Sequence, residues 1–124
     1  MRITALDHIV LNVADVERSL EFYAGKLGLQ AERVDQWRKR EVGFPSVRVN
    51  EHTIIDLLAH APSGDNVAHF CLVAEGPMEA IQAHLAAQGI EVHEGPGTRS
   101  GARGNATSVY IRDPDSNTVE LRCY

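Results

Sequence analysis

An internal duplication constrains this chain more than any other feature. Sliding the sequence by 61 positions brings His8 onto His69, Leu11 onto Leu72, Leu20 onto Ile81, Gly28 onto Gly89 and Leu29 onto Ile90. Each copy reads as strand, turn, helix and glycine. The copies also close alike, Ile55-Asp56-Leu57 in the first and Val119-Glu120-Leu121 in the second, at an offset of 64, so the second carries a small insertion. A repeat fixes architecture before any single residue does. Here it places one histidine early and one carboxylate late in each half. With 124 residues the chain has enough for one core and too few for two independent ones. The halves must share a core or pair with those of another copy.

The elements follow from periodicity. Leu6 to Val13 alternates, with Ile9, Leu11 and Val13 toward a core and His8 and Asn12 on the opposite face. Asp15 suits a helix N-cap, Val16, Leu20, Ala24 and Leu27 form an apolar stripe, and Gly28 suits the left-handed cap position. Strands are expected about Leu29 to Val34, Glu41 to Val49 and Thr53 to Ala59, the last two joined by a tight turn at Asn50-Glu51-His52. The segment 61–66 is the one linker-like stretch. The second half restarts with a strand from Val67 to Ala74 and a helix from Pro77 to Gly89. A short strand from Ile90 to Glu94, a glycine-rich loop from Gly95 to Asn105 and a hairpin turning at Asp113 to Asn117 complete it. The expected class is therefore α+β. A single domain, 1–124, contains two β-α-β-β-β modules, about 4–60 and 67–124.

His8, Asp56, His69 and Glu120 hold equivalent positions in the two modules, on strand faces turned away from the helix-packed side. Two imidazoles with one or two carboxylates form a mixed nitrogen and oxygen donor set suited to a divalent ion such as Zn, Ni, Mn or Fe. Asp56 lies within Thr53-Ile-Ile-Asp-Leu-Leu-Ala59, and Glu120 lies between Val119 and Leu121. Burying such a charge unpaired is costly, so a metal or a hydrogen-bond network must compensate each one.

The stretches LDHIVLNVADVERSLEFYAGKLGL, VAHFCL and SVYIRDPDSNTVEL resemble the vicinal oxygen chelate superfamily. That superfamily includes glyoxalase I, fosfomycin-resistance thiol transferases, extradiol dioxygenases, methylmalonyl-CoA epimerase and bleomycin-binding proteins. The resemblance spans nearly the whole chain and is greatest to short glyoxalase-domain proteins. It implies a cupped mixed sheet built from the paired modules around one divalent metal per site, with a homodimer sharing sites between subunits. The ligands it implies are His8, His69 and Glu120, with Asp56 at the place of the fourth. Asp56 is shorter than the glutamate found there in glyoxalase I, which admits a supporting or basic role instead. Ser116 stands where the turn Asp-Pro-Asp-Gly-Asn has glycine.

The chemistry implied is glyoxalase I-like: a metal acting as Lewis acid on a small oxygen-chelating substrate such as a glutathione hemithioacetal, stabilising an enediolate or oxyanion. Glu120 or Asp56 would be the catalytic base. Alternatives are extradiol-type dioxygenase chemistry, thiol transfer, and a different class altogether, a non-catalytic drug- or metabolite-binding protein. Asn12, Arg99, Arg103 and Tyr110 are candidate substrate contacts, the arginines because they could meet an anionic group.

A formal charge of −5, with twelve Lys and Arg dispersed along the chain, gives no electrostatic basis for nucleic acid or an anionic membrane surface. No apolar run approaches the roughly 18 residues of a membrane span, and the expected location is the cytoplasm. Cys71 and Cys123 lack the spacing of a redox or zinc pair and are expected to stay reduced in strands.

Overall fold

The computed structural model describes residues 8–64, 66, 67, 69–99 and 105–124. The chain divides between Asn66 and Val67. Each module is a four-stranded mixed sheet with a helix on one face.

In module one, β1 (His8–Val13), α1 (Val16–Leu20), β2 (Gln30–Glu32), α2 (Val34–Arg38), β3 (Ser46–Asn50) and β4 (Thr53–Ala59) give the strand order β1-β4-β3-β2. β1 runs parallel to β4 and the other pairs are antiparallel. Leu11, Val13, Val47, Ile55 and Leu57 are buried on one face, together with Val16, Leu20 and Tyr23 of the helical layer. Asp15 caps α1 as expected, its Oδ1 accepting from Arg18 N at 3.0 Å.

Past Leu20 the helix changes character. Glu21–Lys26 is a π-helix, with Leu27 N bonded to Phe22 O at 3.0 Å. Widening the turn rotates Phe22 and Tyr23 inward, so these two are buried while Ala24 and Leu27, members of the expected stripe, are half-exposed. Gly28 closes the segment at φ +78°, the left-handed conformation anticipated for it.

Two expected strands are shorter than alternation suggested. The first covers only Gln30–Glu32, because Arg33 turns left-handed at φ 61° and starts the short helix α2. That helix buries no residue and is tied to α1 by Arg38 donating through Nε and Nη2 to Glu17, both at 2.8 Å. Such a helix has no apolar periodicity to reveal it. The second begins at Ser46 rather than Glu41.

Module two contains β5 (Phe70–Val73), α3 (Met78–Ala87), β6 (Glu94–Arg99), β7 (Ala106–Arg112) and β8 (Thr118–Cys123), in the order β5-β8-β7-β6. Val109, Ile111, Val119 and Leu121 are buried, as are Met78, Ile81 and Leu85 of α3. The strand expected from Ile90 to Glu94 is absent, since the end of α3 uses Ile90 instead. Gly89 adopts φ +66°, Gly89 N bonds to Ala86 O, and Ile90 N bonds to Leu85 O at 2.9 Å, the pairing of a Schellman cap. The strand starts four residues later and runs into what read as a loop. Gly95 permits this: a Cβ there would lie 2.6 Å from the Ser108 carbonyl oxygen. The two modules thus have the expected α+β class, with α2 as an addition to module one.

The last hairpin turns on Asp113. Its Oδ1 accepts from Asp115 N at 2.9 Å and Asn117 N at 2.8 Å, and its Oδ2 accepts from Asn117 Nδ2 at 2.8 Å. Ser116 holds the left-handed conformation at φ 65° without glycine. Each buried bond of this kind contributes about 1 kcal/mol. Asp113→Ala is therefore expected to lower unfolding free energy by about 3 kcal/mol, against about 1 kcal/mol for Asp15→Ala at the α1 cap. Urea denaturation of both variants checks the order.

Candidate functional site

Each sheet turns one face to its helix and carries polar side chains on the other. The duplication is visible in the register: Val10 of β1 lies opposite Asp56 of β4, and Cys71 of β5 lies opposite Glu120 of β8. Since 10 and 71 differ by 61, and 56 and 120 by 64, the carboxylates occupy one structural position. Each module's histidine sits two residues before that position, so it shares the face.

Both carboxylates are nearly buried, Asp56 at 6% exposure and Glu120 at 4%. The compensation they require comes from a serine and an arginine in each case. Asp56 Oδ1 accepts from Ser46 Oγ at 2.5 Å and from Arg33 Nη2 at 3.1 Å, and Arg33 Nη2 also reaches Ser46 Oγ. Glu120 Oε1 accepts from Ser108 Oγ at 2.6 Å and pairs with Arg122 Nη2 at 3.1 Å, while Arg122 Nε donates to Ser108 Oγ at 3.3 Å. Hydrogen bonds and ion pairs thus offset the cost of burying each carboxylate, and burial alone does not demand a metal.

The two clamps are built differently. Ser46 lies directly across from Asp56, whereas Ser108 lies across from Arg122 and Tyr110 lies across from Glu120. Glutamate's extra methylene lets it reach the diagonal serine, which frees the directly opposed place for an aromatic ring. Arg122 comes from the same strand as its carboxylate and is 3% exposed. The Arg33 side chain arrives from the β2–α2 junction and is 39% exposed.

With Oε1 held, Glu120 Oε2 faces His69 Nε2 at 3.5 Å. Donors sharing one divalent ion at bond lengths near 2.0–2.2 Å lie about 3 Å apart, so this pair fits one edge of such a site with little adjustment. His69 itself precedes β5 rather than lying within it, and its ring meets Tyr110 edge-on at 5.9 Å. The Arg99 guanidinium lies 5.8 Å from the Tyr110 ring centroid and donates to Glu94 at 2.6 Å. Tyr110 therefore stands beside His69, and Arg99 stands beside Tyr110 with Glu94 as its carboxylate partner.

His8 is exposed at the start of β1, on the face that carries Asp56. Asn12 is engaged elsewhere: its Nδ2 donates to Asn66 Oδ1 at 3.4 Å, and Asn66 Nδ2 donates to the Asn12 carbonyl at 2.8 Å. That exchange ties the end of β1 to the linker. Arg103 lies outside the described residues. Among the described residues no group of three or more His, Cys, Asp and Glu side chains gathers closely enough to hold a metal by itself.

Beside His69 lies a cavity of about 520 Å³, lined by His69, His93, Glu94, Tyr110, Arg112 and Thr118. From sequence His93 reads as a solvated surface histidine, and Arg112, although inside the SVYIRDPDSNTVEL stretch, has no role marked by periodicity. The clamp serines did leave a trace: Ser46-Val-Arg-Val and Ser108-Val-Tyr-Ile repeat at an offset of 62.

Residues 5–121 match the family model for the Glyoxalase/Bleomycin resistance protein/Dioxygenase superfamily. Virulence protein STM3117 of Salmonella typhimurium is 34% identical over 127 residues, covering 100% of this chain and 87% of that protein. Glyoxalase domain-containing protein RDO1 of Mycosarcoma maydis is 33% identical over 129 residues, covering 100% of this chain and 70% of that one. Among solved structures, an integron cassette protein from the mobile metagenome of V. cholerae matches with a TM-score of 0.81 at 33% identity, over 100% of this chain and 98% of that one.

Burial pushes the Cys71 thiol up to about 11, and the neighbouring Glu120 carboxylate adds to the shift. At pH 8 the thiolate fraction falls with that rise, so iodoacetamide should alkylate Cys71 on the order of 100-fold more slowly than an unhindered thiol. Site-resolved mass spectrometry on chelator-treated protein reads this directly. In the clamp, Arg122→Met strands Glu120 without its cation. It should lower the urea midpoint more than Arg33→Met does, and adding Glu120→Gln should restore it.

Proposed function

Because the chain belongs to the Glyoxalase/Bleomycin resistance protein/Dioxygenase superfamily, many of whose members use a divalent metal, we propose that it is a metal-dependent enzyme. Its substrate is a small molecule carrying adjacent oxygens, in the manner of glyoxalase I. The observation that carries this reading is the Glu120 carboxylate. One oxygen is fixed by Ser108 and Arg122, and the other is turned toward His69 at 3.5 Å beside a cavity.

In this reading His69 and Glu120 hold the ion together with His8 from module one, and Asp56 supports or completes the set, in the same chain or through a second copy. The ion, when bound, supplies Lewis acidity for negative charge developing on the substrate oxygens. The protein's own groups do the remainder. Ser108 and Arg122 keep Glu120 Oε1 occupied, so only Oε2 is available as ligand or proton acceptor. Tyr110 packs edge-on against the His69 ring and limits its rotation. Asp56, held through Oδ1 by Ser46 and Arg33, is the second carboxylate able to carry a proton from the substrate.

One observation favours a second reading, a metal-free binding protein: both buried carboxylates already have neutralising partners. Metal content separates the two. Protein purified without added metal should contain about one equivalent of a divalent ion per site, and His69→Ala and Glu120→Gln should each lose most of it. Chelation should abolish turnover in a screen of Ni, Zn, Mn and Fe(II) forms against methylglyoxal with glutathione, catechols and fosfomycin. Undiminished metal in both variants would overturn the enzyme reading. A metal-free protein that still binds small molecules saturably would establish the alternative.

A further inference from the structure

The ordered arginines of the two sheets face carboxylates: Arg33 with Asp56, Arg48 with Glu32, Arg99 with Glu94 and Arg122 with Glu120. Arg112 does not. Its Nε donates to His93 Nε2 at 3.2 Å, and its Nη1 donates to the Ser116 carbonyl at 3.0 Å and to Thr118 Oγ1. No carboxylate among the described residues lies within ion-pair distance of this guanidinium, and none of those residues engages Nη2. Three neutral acceptors therefore fix its orientation while leaving its charge unmatched.

Arg112 also lines the cavity beside His69. Of the six lining residues Glu94 is the one carboxylate, and Arg99 neutralises it at 2.6 Å. The cavity's uncompensated charge is consequently positive and sits at Arg112. A volume of about 520 Å³ suits a small metabolite. His93 Nε2 accepts from Arg112 Nε, so the imidazole steers the guanidinium through that edge and leaves Nη2 open.

We propose that Arg112, oriented by His93 and Thr118, is an oxyanion subsite that binds the carboxylate or phosphate of the substrate. A guanidinium fixed in this way binds such groups through charge-assisted hydrogen bonds and loses little freedom in doing so. The proposal rests on module two being the substrate-binding face and adds the substrate class, a small oxyanion. It also moves the anion contact from Arg99, which is already paired, to Arg112.

The test uses chelator-treated protein, so it does not depend on a metal. Inorganic phosphate and lactate are titrated separately while ¹H–¹⁵N spectra are recorded. Saturable shifts are expected at the amides of Tyr110, Arg112 and Thr118 and at Arg112 Nε–H, with affinity on the order of 1 mM. Arg112→Gln should weaken binding at least about tenfold, a loss of about 1.4 kcal/mol. Arg38→Gln, the same charge change on α2, should leave it unaltered. Arg112 also braces the Ser116 turn, so His93→Ala serves as a second variant that spares those contacts and should weaken binding as well. Response to phosphate alone identifies a phosphate ester, and response to lactate alone identifies a carboxylate. Absence of shifts with either anion at about 20 mM, or equal affinity in Arg112→Gln, would overturn the subsite. Metal content, measured separately, would be untouched by that result.

Discussion

A carboxylate in the central strand of each sheet survives burial because a serine hydroxyl and an arginine guanidinium both reach it. Asp56 with Ser46 and Arg33, and Glu120 with Ser108 and Arg122, occupy equivalent register positions and use the same chemistry. The apolar faces of β4 and β8 pack against their helices only if the opposite faces tolerate these charges. The clamps therefore support the folded sheets and also decide which carboxylate oxygen is left to act. In module two that oxygen points at an imidazole, the arrangement from which ligand or proton chemistry starts.

Much of this was legible in the sequence. The duplication, the core faces of β1, β4 and β8, the Asp15 cap and the left-handed Gly28 and Gly89 follow from spacing and residue type. The sequence also allows His69 to face Glu120 from the first and last strands of its module, and the two approach to 3.5 Å with His69 just ahead of β5. Hidden features were those decided by contacts distant in sequence. The short helix α2 buries no side chain and meets α1 through Arg38 and Glu17, 21 residues apart, so no local pattern announces it. Strand β6 forms through Gly-Pro-Gly, a poor strand former, because Gly95 can approach the Ser108 carbonyl.

The site divides along similar lines. Candidates chosen by repetition, His69 and Glu120, came together, and Tyr110 took its place beside them. Asn12, read from strand alternation, is bonded to Asn66, and Arg99, read as a partner for an anion, is bonded to Glu94. The roles of Arg112 and of His93, which reads from sequence as a surface histidine, are not legible there, because an arginine's role depends on whether a carboxylate lies opposite it. The serine clamps were visible as a repeat, but their meaning required the cross-strand register.

The two arginines reach equivalent carboxylates by different routes. Arg122 rides on the strand that bears Glu120, so the cation and anion move as a unit. Arg33 is delivered by a left-handed residue at the head of a five-residue helix that buries nothing. The cation on Asp56 therefore comes from outside the sheet, whereas its serine comes from the neighbouring strand. Glu120 thus carries its counter-charge on its own backbone segment, and Asp56 draws one from a connecting turn, on a side chain that is 39% exposed.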